Sequence, residues 1–389
     1  MTATGNKACI VGIGQTEYRR RGGFKDRSEL SLACEAVIRA AADAGLSVAD
    51  IDGLVSYAAD RNEPSYLQDA LGLPELRYAT MTWGGGGTGA CATLMQAALA
   101  VEAGVADHVV ILRALCQGQF LRFGQFNPDR PGRNFLAPFG MFSPPIMMAP
   151  LAQRYLYETG IRPEQLAEVA LNARANAQRN PLALMREPLT LQDYMSSRMV
   201  AEPLRLYDCC QENDGACALV VTTLERARDL PHKPVRILAV AQGTNPGWGT
   251  ASLGPQNMPV SDYGRGNGAA MARRVFARGG VGPQDIDVAQ IYDHFSPFVL
   301  MTLENFGFCG PGEAGDFVTS GAIRWPDGEL PINTSGGHLA EAYLHGLSLV
   351  VEGVRQIRGA STSQVEDAEL CLVTAGLGGT LTSAAILGA

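Results

Sequence analysis

Two stretches of this chain lying 235 residues apart carry the same local pattern, so the chain is constrained to build two like halves. ADIDGLVSYA, ending at Ala58, matches QDIDVAQIYD, ending at Asp293, which pairs Asp50 with Asp285 and Tyr57 with Tyr292. A looser match joins the Gly-rich turn WGGGGTG, Trp83 to Gly89, to NTSGG, Asn333 to Gly337. Each of these turns precedes a stretch with helical spacing. Around them, strand-like runs at Ala8–Ile13, Gly53–Tyr57 and His108–Leu112 alternate with helix-like runs at Ser28–Ala44 and from Gly89 through Val101. That alternation predicts an α/β layered fold made by duplication.

The stretch from Gln117 to about Pro203 breaks the alternation. It contains APFGMFSPPIMMAPL, whose prolines and pliable methionines suit either an adaptable apolar binding wall or a buried connecting loop. The expected division is therefore 1–116 as the first part of the N-terminal half, 117–203 as an inserted loop region, 204–230 completing that half, and 231–389 as the C-terminal half.

Charge and composition remove several classes of function. A formal charge of -8 gives no reason to expect nucleic-acid binding, which needs clustered Lys and Arg. Nine cysteines, odd in number and without CxxC spacing, indicate neither a disulfide framework nor a structural zinc site. No run of 18 apolar residues occurs, and the start lacks a basic flank followed by an apolar core, so a cytoplasmic protein without a membrane span is expected. Only Lys7, Lys25 and Lys233 exist, none near the motifs below, which argues against a Schiff-base mechanism.

The two halves, the Gly-rich turn, YDCCQENDGACALVV, YDHFSP, NTSGG and the terminal GLGGTLTSAAIL together resemble thiolase-like proteins of the sterol carrier, or lipid-transfer, type. The resemblance covers nearly the whole chain. It implies a thiolase fold, a duplicated five-layer αβαβα architecture, and a homodimer. In working members of this type a cysteine in a CSTG-like turn attacks the thioester. The matching slot here is Gly86, which has no nucleophile to offer. Where the histidine of GHP is expected the chain has AYL, placing Tyr343 there. Where HDCF is expected it has YDHF, placing Tyr292 and His294 in the His and Cys slots.

This combination resembles the thiolase-like steroid side-chain aldolases. The resemblance implies retro-aldol cleavage of a tertiary β-hydroxyacyl-CoA to a 17-ketosteroid and propionyl-CoA, with Tyr292 and Tyr343 as its functional pair. It also implies an OB-fold, zinc-ribbon partner protein in a heterotetramer, and no cofactor beyond the CoA of the substrate. Such cleavage needs a base for the β-hydroxyl and a stabilised, then protonated, enolate, but no acyl-enzyme. An ordinary phenol, with a pKa near ~10, needs help to act as a base. Asp293, His294 and His345 are the expected helpers, with His338 a further supporting residue.

For the enolate oxygen, backbone N–H groups of the turn at Gly86 and Gly87 and of Gly378 and Gly379 are candidates, though tight turns alone would explain these glycines. A metal site drawn from His294, His338, Glu341 and His345 is the weaker reading, resting on His338 and His345 sharing a helix face at seven-residue spacing. Two further alternatives stay open on the residues: acyl transfer through a cysteine such as Cys91 or Cys116, and a noncatalytic acyl-CoA or lipid-binding scaffold. Tyr57 is expected to be structural.

Overall fold

The computed structural model describes residues 7–58, 60–84, 86–120, 137–249 and 258–389. In the first half β1 (Ala8–Gln15) leads to α1 (Glu29–Asp43), β2 (Gly53–Tyr57), β3 (Tyr78–Thr82), α2 (Ala90–Glu102) and β4 (Val109–Cys116). Between the halves, α3 (Pro144–Thr159) and α4 (Pro163–Ala177) precede β5 (Asn213–Thr223). The second half runs β6 (Val235–Gly243), α5 (Ala269–Gly279), β7 (Val288–Gln290), α6 (Ser296–Asn305), α7 (Leu347–Arg358), β8 (Leu370–Ala375) and β9 (Thr382–Gly388).

The main sheet has the order β7-β8-β9-β6-β1-β5-β4-β2-β3, with the two-residue strand Arg19–Arg20 paired to β5 off this path. Read from its middle, the order is the same in both directions. The junction of β1 and β6 is antiparallel. On either side come antiparallel pairs, β1 with β5 and β6 with β9, and then β5 with β4 and β9 with β8. Beyond them lie parallel pairs, β4 with β2 and β8 with β7. The matched DID segments form short 3-10 turns, Val48–Asp50 and Pro283–Asp285, just before β2 and β7. The repeat seen in the sequence is thus a repeat of topology. In the second half the counterpart of β3 shrinks to a single bridge between Ala289 and Ile332.

The sheet folds over rather than running flat. Helix α2 touches strands from β3 to β8, seven places apart in the sheet order. At ~4.8 Å per strand these would lie about 34 Å apart in a flat sheet, against a helix diameter of ~10 Å. Helices α2 and α7 therefore fill a middle layer between two sheet halves, with α1 and α5 outside, giving the five-layer αβαβα arrangement. Both middle helices are buried almost all round, as this position demands. Their Leu, Val and Ile side chains pack in one cluster with the inner faces of both halves, each contributing roughly 1.5–3 kcal/mol. Tyr57, Tyr292 and Tyr343 belong to that cluster.

Helix starts follow local signals. Ser28 caps α1 by accepting the Ser31 N–H, and Pro144 and Pro163 stand at the first turns of α3 and α4. The Met- and Pro-rich segment is not a loop over most of its described length. From Pro144 it is helix α3, which buries Ala149, Leu151, Ala152 and Tyr155 in the core of the second half. Residues 121–136 of the inserted region lie outside the described residues. Among the described residues no helix is long and apolar enough to cross a membrane.

Candidate active site

Tyr292 follows the end of β7, where Asn333 clamps the backbone. The Asn333 side chain accepts the Ile291 N–H at 2.7 Å and donates to the Ile291 carbonyl at 2.9 Å. The Tyr292 N–H then donates to Thr374 Oγ1 on β8 at 3.2 Å. Tyr343 is pinned from the first half: its N–H donates to Asn213 Oδ1 at 2.6 Å. The Tyr57 hydroxyl donates to the carbonyl of His345 at 2.9 Å. Tyr57, the duplicate of Tyr292, thus holds the loop that carries Tyr343.

These constraints bring the two phenol oxygens to 2.8 Å. The Gly87 N–H donates to the Tyr292 oxygen at 3.1 Å. Both phenols are buried, and burial pushes both upward in pKa. Tyr292 is raised less, because hydrogen bonds from Tyr343 and from the Gly87 N–H favour its ionised form.

Gly87 is what admits Tyr292. A Cβ there would lie 2.2 Å from the Tyr292 oxygen, inside any tolerable contact. Gly86 has φ +55°, in the left-handed region, and a Cβ there would meet only the Tyr343 oxygen, at 3.6 Å. The Gly87 N–H thus serves Tyr292 rather than standing free for an oxyanion. The Gly378 and Gly379 amides differ from expectation in the same way. Gly378 N–H donates to Asn267 Oδ1 at 2.9 Å, on a distant segment, and Gly379 N–H to the Gly376 carbonyl at 3.0 Å within its own turn, so both are already engaged.

Three of the four expected supporting residues, His294, His338 and His345, surround the pair. The rings of His338, His294 and Tyr343 lie 4.7, 5.1 and 6.3 Å from that of Tyr292, and His345 lies 4.9 Å from Tyr343. Burial pushes His294 and His338 down to about 3 and His345 down as well, so these imidazoles are neutral. The Asp293 carboxylate meets the His338 ring, Oδ1 lying 3.2 Å from Nδ1. It accepts the His338 and Leu339 N–H groups at 2.8 and 3.2 Å, and burial raises it to about 7. Its place is to fix the NTSGGHL turn against Tyr292.

His338 and His345 do not share a helix: His338 lies in the short helix Gly337–Ala340, and His345 sits beyond it at φ +51°. Among the described residues no group of three His, Cys, Asp or Glu side chains is arranged to hold a metal ion. All three lysines are exposed.

The thiols offered for acyl transfer are poor nucleophiles here. Cys91 is fully buried, donates to the Val373 carbonyl at 3.5 Å and is pushed up to about 12. Cys116 is raised to about 11. Asn213, Thr374 and Cys210 were not singled out by sequence reasoning. Cys210 N–H donates to the His294 carbonyl at 2.9 Å. Asn213 and Cys210 lie in YDCCQENDGAC, a motif read only as a mark of resemblance. Its position on and just before β5, facing the second half, is a tertiary fact.

Residues 258–388 match the family model described as Thiolase C-terminal domain-like. The chain is 45% identical over 396 residues to the 17-hydroxy-3-oxo-4-pregnene-20-carboxyl-CoA lyase of Mycobacterium tuberculosis, covering 98% of this chain and 99% of that one. It is 42% identical to the steroid side-chain-cleaving aldolase of Thermomonospora curvata, covering 100% of both. The solved Ltp2-ChsH2(DUF35) aldolase superposes with a TM-score of 0.91 at 42% identity, over 99% of this chain and 98% of that chain. With a glycine in the nucleophile's slot and a paired-phenol site, the chain belongs to the thiolase-fold steroid side-chain aldolases.

Proposed function

We propose that Tyr292 and Tyr343 act as a neutral proton relay in the retro-aldol cleavage of a tertiary steroid β-hydroxyacyl-CoA. The chain is a carbon–carbon lyase, and its products are a 17-ketosteroid and propionyl-CoA. The observation that carries the relay is the 2.8 Å contact between two phenol oxygens, one of them also held by the Gly87 N–H at 3.1 Å.

With both phenols raised by burial, neither is a resident phenolate at neutral pH. A charge-neutral transfer fits this state. Tyr343 takes the proton of the β-hydroxyl as the oxygen becomes the ketone. The Cα–Cβ bond breaks and its electron pair enters the thioester enolate. Tyr343 passes its own proton to Tyr292, and Tyr292 gives its proton to the enolate carbon, so protons and charge balance. Tyr292 is the acid because the Gly87 N–H and the Tyr343 hydroxyl stabilise developing charge on its oxygen. The apolar surroundings, with neutral His294, His338 and His345, strengthen these hydrogen bonds by excluding water. Neither a lysine nor a metal takes part in this scheme.

The chain works as a homodimer joined to an OB-fold, zinc-ribbon partner. Two observations support this reading. The strand Tyr78–Thr82 ends the sheet, with Met81 and Trp83 exposed by 47% and 87%, an open edge suited to a second copy. The solved relative at 42% identity is an Ltp2-ChsH2(DUF35) aldolase, named for two components. The test is to supply the steroid thioester without free CoA, with and without the partner, and to follow ketone and propionyl-CoA by chromatography. Cleavage independent of CoA is expected. Turnover that requires free CoA would show thiolysis instead, and no turnover with the partner present would leave a scaffold.

A further inference from the structure

Two arginines are buried among the described residues, Arg113 and, on α4, Arg174. Arg113 answers to a carboxylate, meeting Asp60 at 3.2 Å. Arg174 does not. It is 6% exposed, yet it forms no ion pair among the described residues. One guanidinium nitrogen donates to the Glu187 carbonyl at 2.8 Å, while Nε is buried without a partner. The ring of Tyr207 lies 5.7 Å from the guanidinium. A carbonyl and a ring face offset only part of the cost of burying a cation.

Arg174 lines a cavity of about 410 Å³ that also presents the exposed side chains of Arg20 and Arg186. Two carboxylates share the lining, Glu17 and Glu187. Glu17 is already paired with Arg19 at 3.1 Å, so Glu187 is the one remaining carboxylate in a lining that holds three arginines. The cavity wall is tied to the loop of the tyrosine site. Leu184 N–H donates to the Glu341 carbonyl and Met185 N–H to the Ala340 carbonyl, each at 3.0 Å, just ahead of Tyr343.

We propose that this cavity binds a phosphate group, held by Arg174 from below and by Arg20 and Arg186 at its mouth. Three arginines lining one cavity suit a multiply charged tetrahedral anion, which accepts several charge-assisted hydrogen bonds at once. The phosphate comes either from the CoA portion of the substrate, which rests on the aldolase reading, or from a separate phosphorylated small molecule, which does not.

Isothermal titration of the full chain with inorganic pyrophosphate, at ionic strength matched with sodium chloride, tests this without any turnover. Binding is expected in the wild type, weakened at least about tenfold in R174Q, as loss of a charge-assisted contact implies. Pyrophosphate should raise the wild-type Tm by more than that of R174Q at the same concentration. The double variant R20A/R186A alters only exposed side chains and should weaken binding with the apo Tm unchanged. If the source is the substrate, pyrophosphate competes with the steroid thioester and R174Q raises KM at constant kcat. If it is a separate ligand, inhibition is not competitive. No binding to the wild type, or unchanged affinity in R20A/R186A, would overturn the proposal.

Discussion

Replacing Gly87 by alanine puts the tyrosine pair under the smallest steric change that reaches it. The new Cβ would stand 2.2 Å from the Tyr292 oxygen and its ring edge, whereas ordinary contact begins near 3.4 Å. The ring must therefore retreat by about 1 Å. Its backbone is pinned by Thr374 and by Asn333 acting on Ile291, so the hydroxyl end moves. Displacement on that scale breaks the 2.8 Å contact with Tyr343, and a misplacement of ~1 Å costs on the order of 10²-fold in rate. That corresponds to ~2.7 kcal/mol in the activation barrier. Overpacking of this kind costs stability by roughly 1–3 kcal/mol.

Gly86→Ala is the control. Its Cβ meets only the Tyr343 oxygen, at 3.6 Å. It therefore bears the left-handed backbone penalty of ~1–2 kcal/mol while keeping the pair in contact. Initial rates of ketosteroid formation at saturating substrate, with Tm measured in parallel, should show Gly87→Ala losing about 10²-fold in kcat and Gly86→Ala losing far less. A folded Gly87→Ala enzyme with wild-type kcat would refute the placement of Tyr292 in the chemistry.

Other expectations follow from the same geometry. Cys91→Ala should leave kcat nearly unchanged in the same assay, since that thiol is buried and pushed up to about 12. Asn213→Ala removes the acceptor of the Tyr343 N–H; urea unfolding should show a loss of ~1–3 kcal/mol, with kcat reduced because the loop loosens. Glu341 is raised to about 7 by burial. Its folded form therefore holds a proton that the unfolded chain releases near pH 4.5. Its contribution to stability then falls as pH rises from about 4.5 to about 7. Glu341→Gln should flatten that decline, and urea unfolding of both proteins at pH values on either side of this window measures it. Equal slopes would show that Glu341 is ionised in the folded state.

Much of the fold was legible because duplication leaves a signature that does not depend on tertiary detail. The DID segments, the Gly-rich turns and the β2 boundaries were all local patterns. The inserted region was misread from Pro144 onward, because prolines at a helix start look like loop signals until the following apolar face has a core to meet. Tyr292 and Tyr343 were legible through their motif slots. What each neighbour does was not. Gly87 and Gly378 look equivalent in sequence, yet one amide reaches a phenol and the other a side chain amide. Asn213 and Tyr57 act across the interface of the two halves, over 130 and 288 residues of chain. No local pattern encodes such partners. The cavity around Arg174 was likewise invisible, since its lining is drawn from three separate segments.

The relay predicts where a solvent-derived proton ends up. The most direct measurement is turnover of the steroid thioester in deuterium oxide without free CoA, with mass analysis of the propionyl-CoA released by the wild type, Tyr292→Phe and Tyr343→Phe. The wild type should release 17-ketosteroid and propionyl-CoA carrying one deuterium at the α-carbon. Each variant removes one hydroxyl of the 2.8 Å pair and should stay folded while losing on the order of 10²–10⁴-fold in rate. Undiminished cleavage with α-deuteration in both variants would contradict the claim that this phenol pair carries the proton.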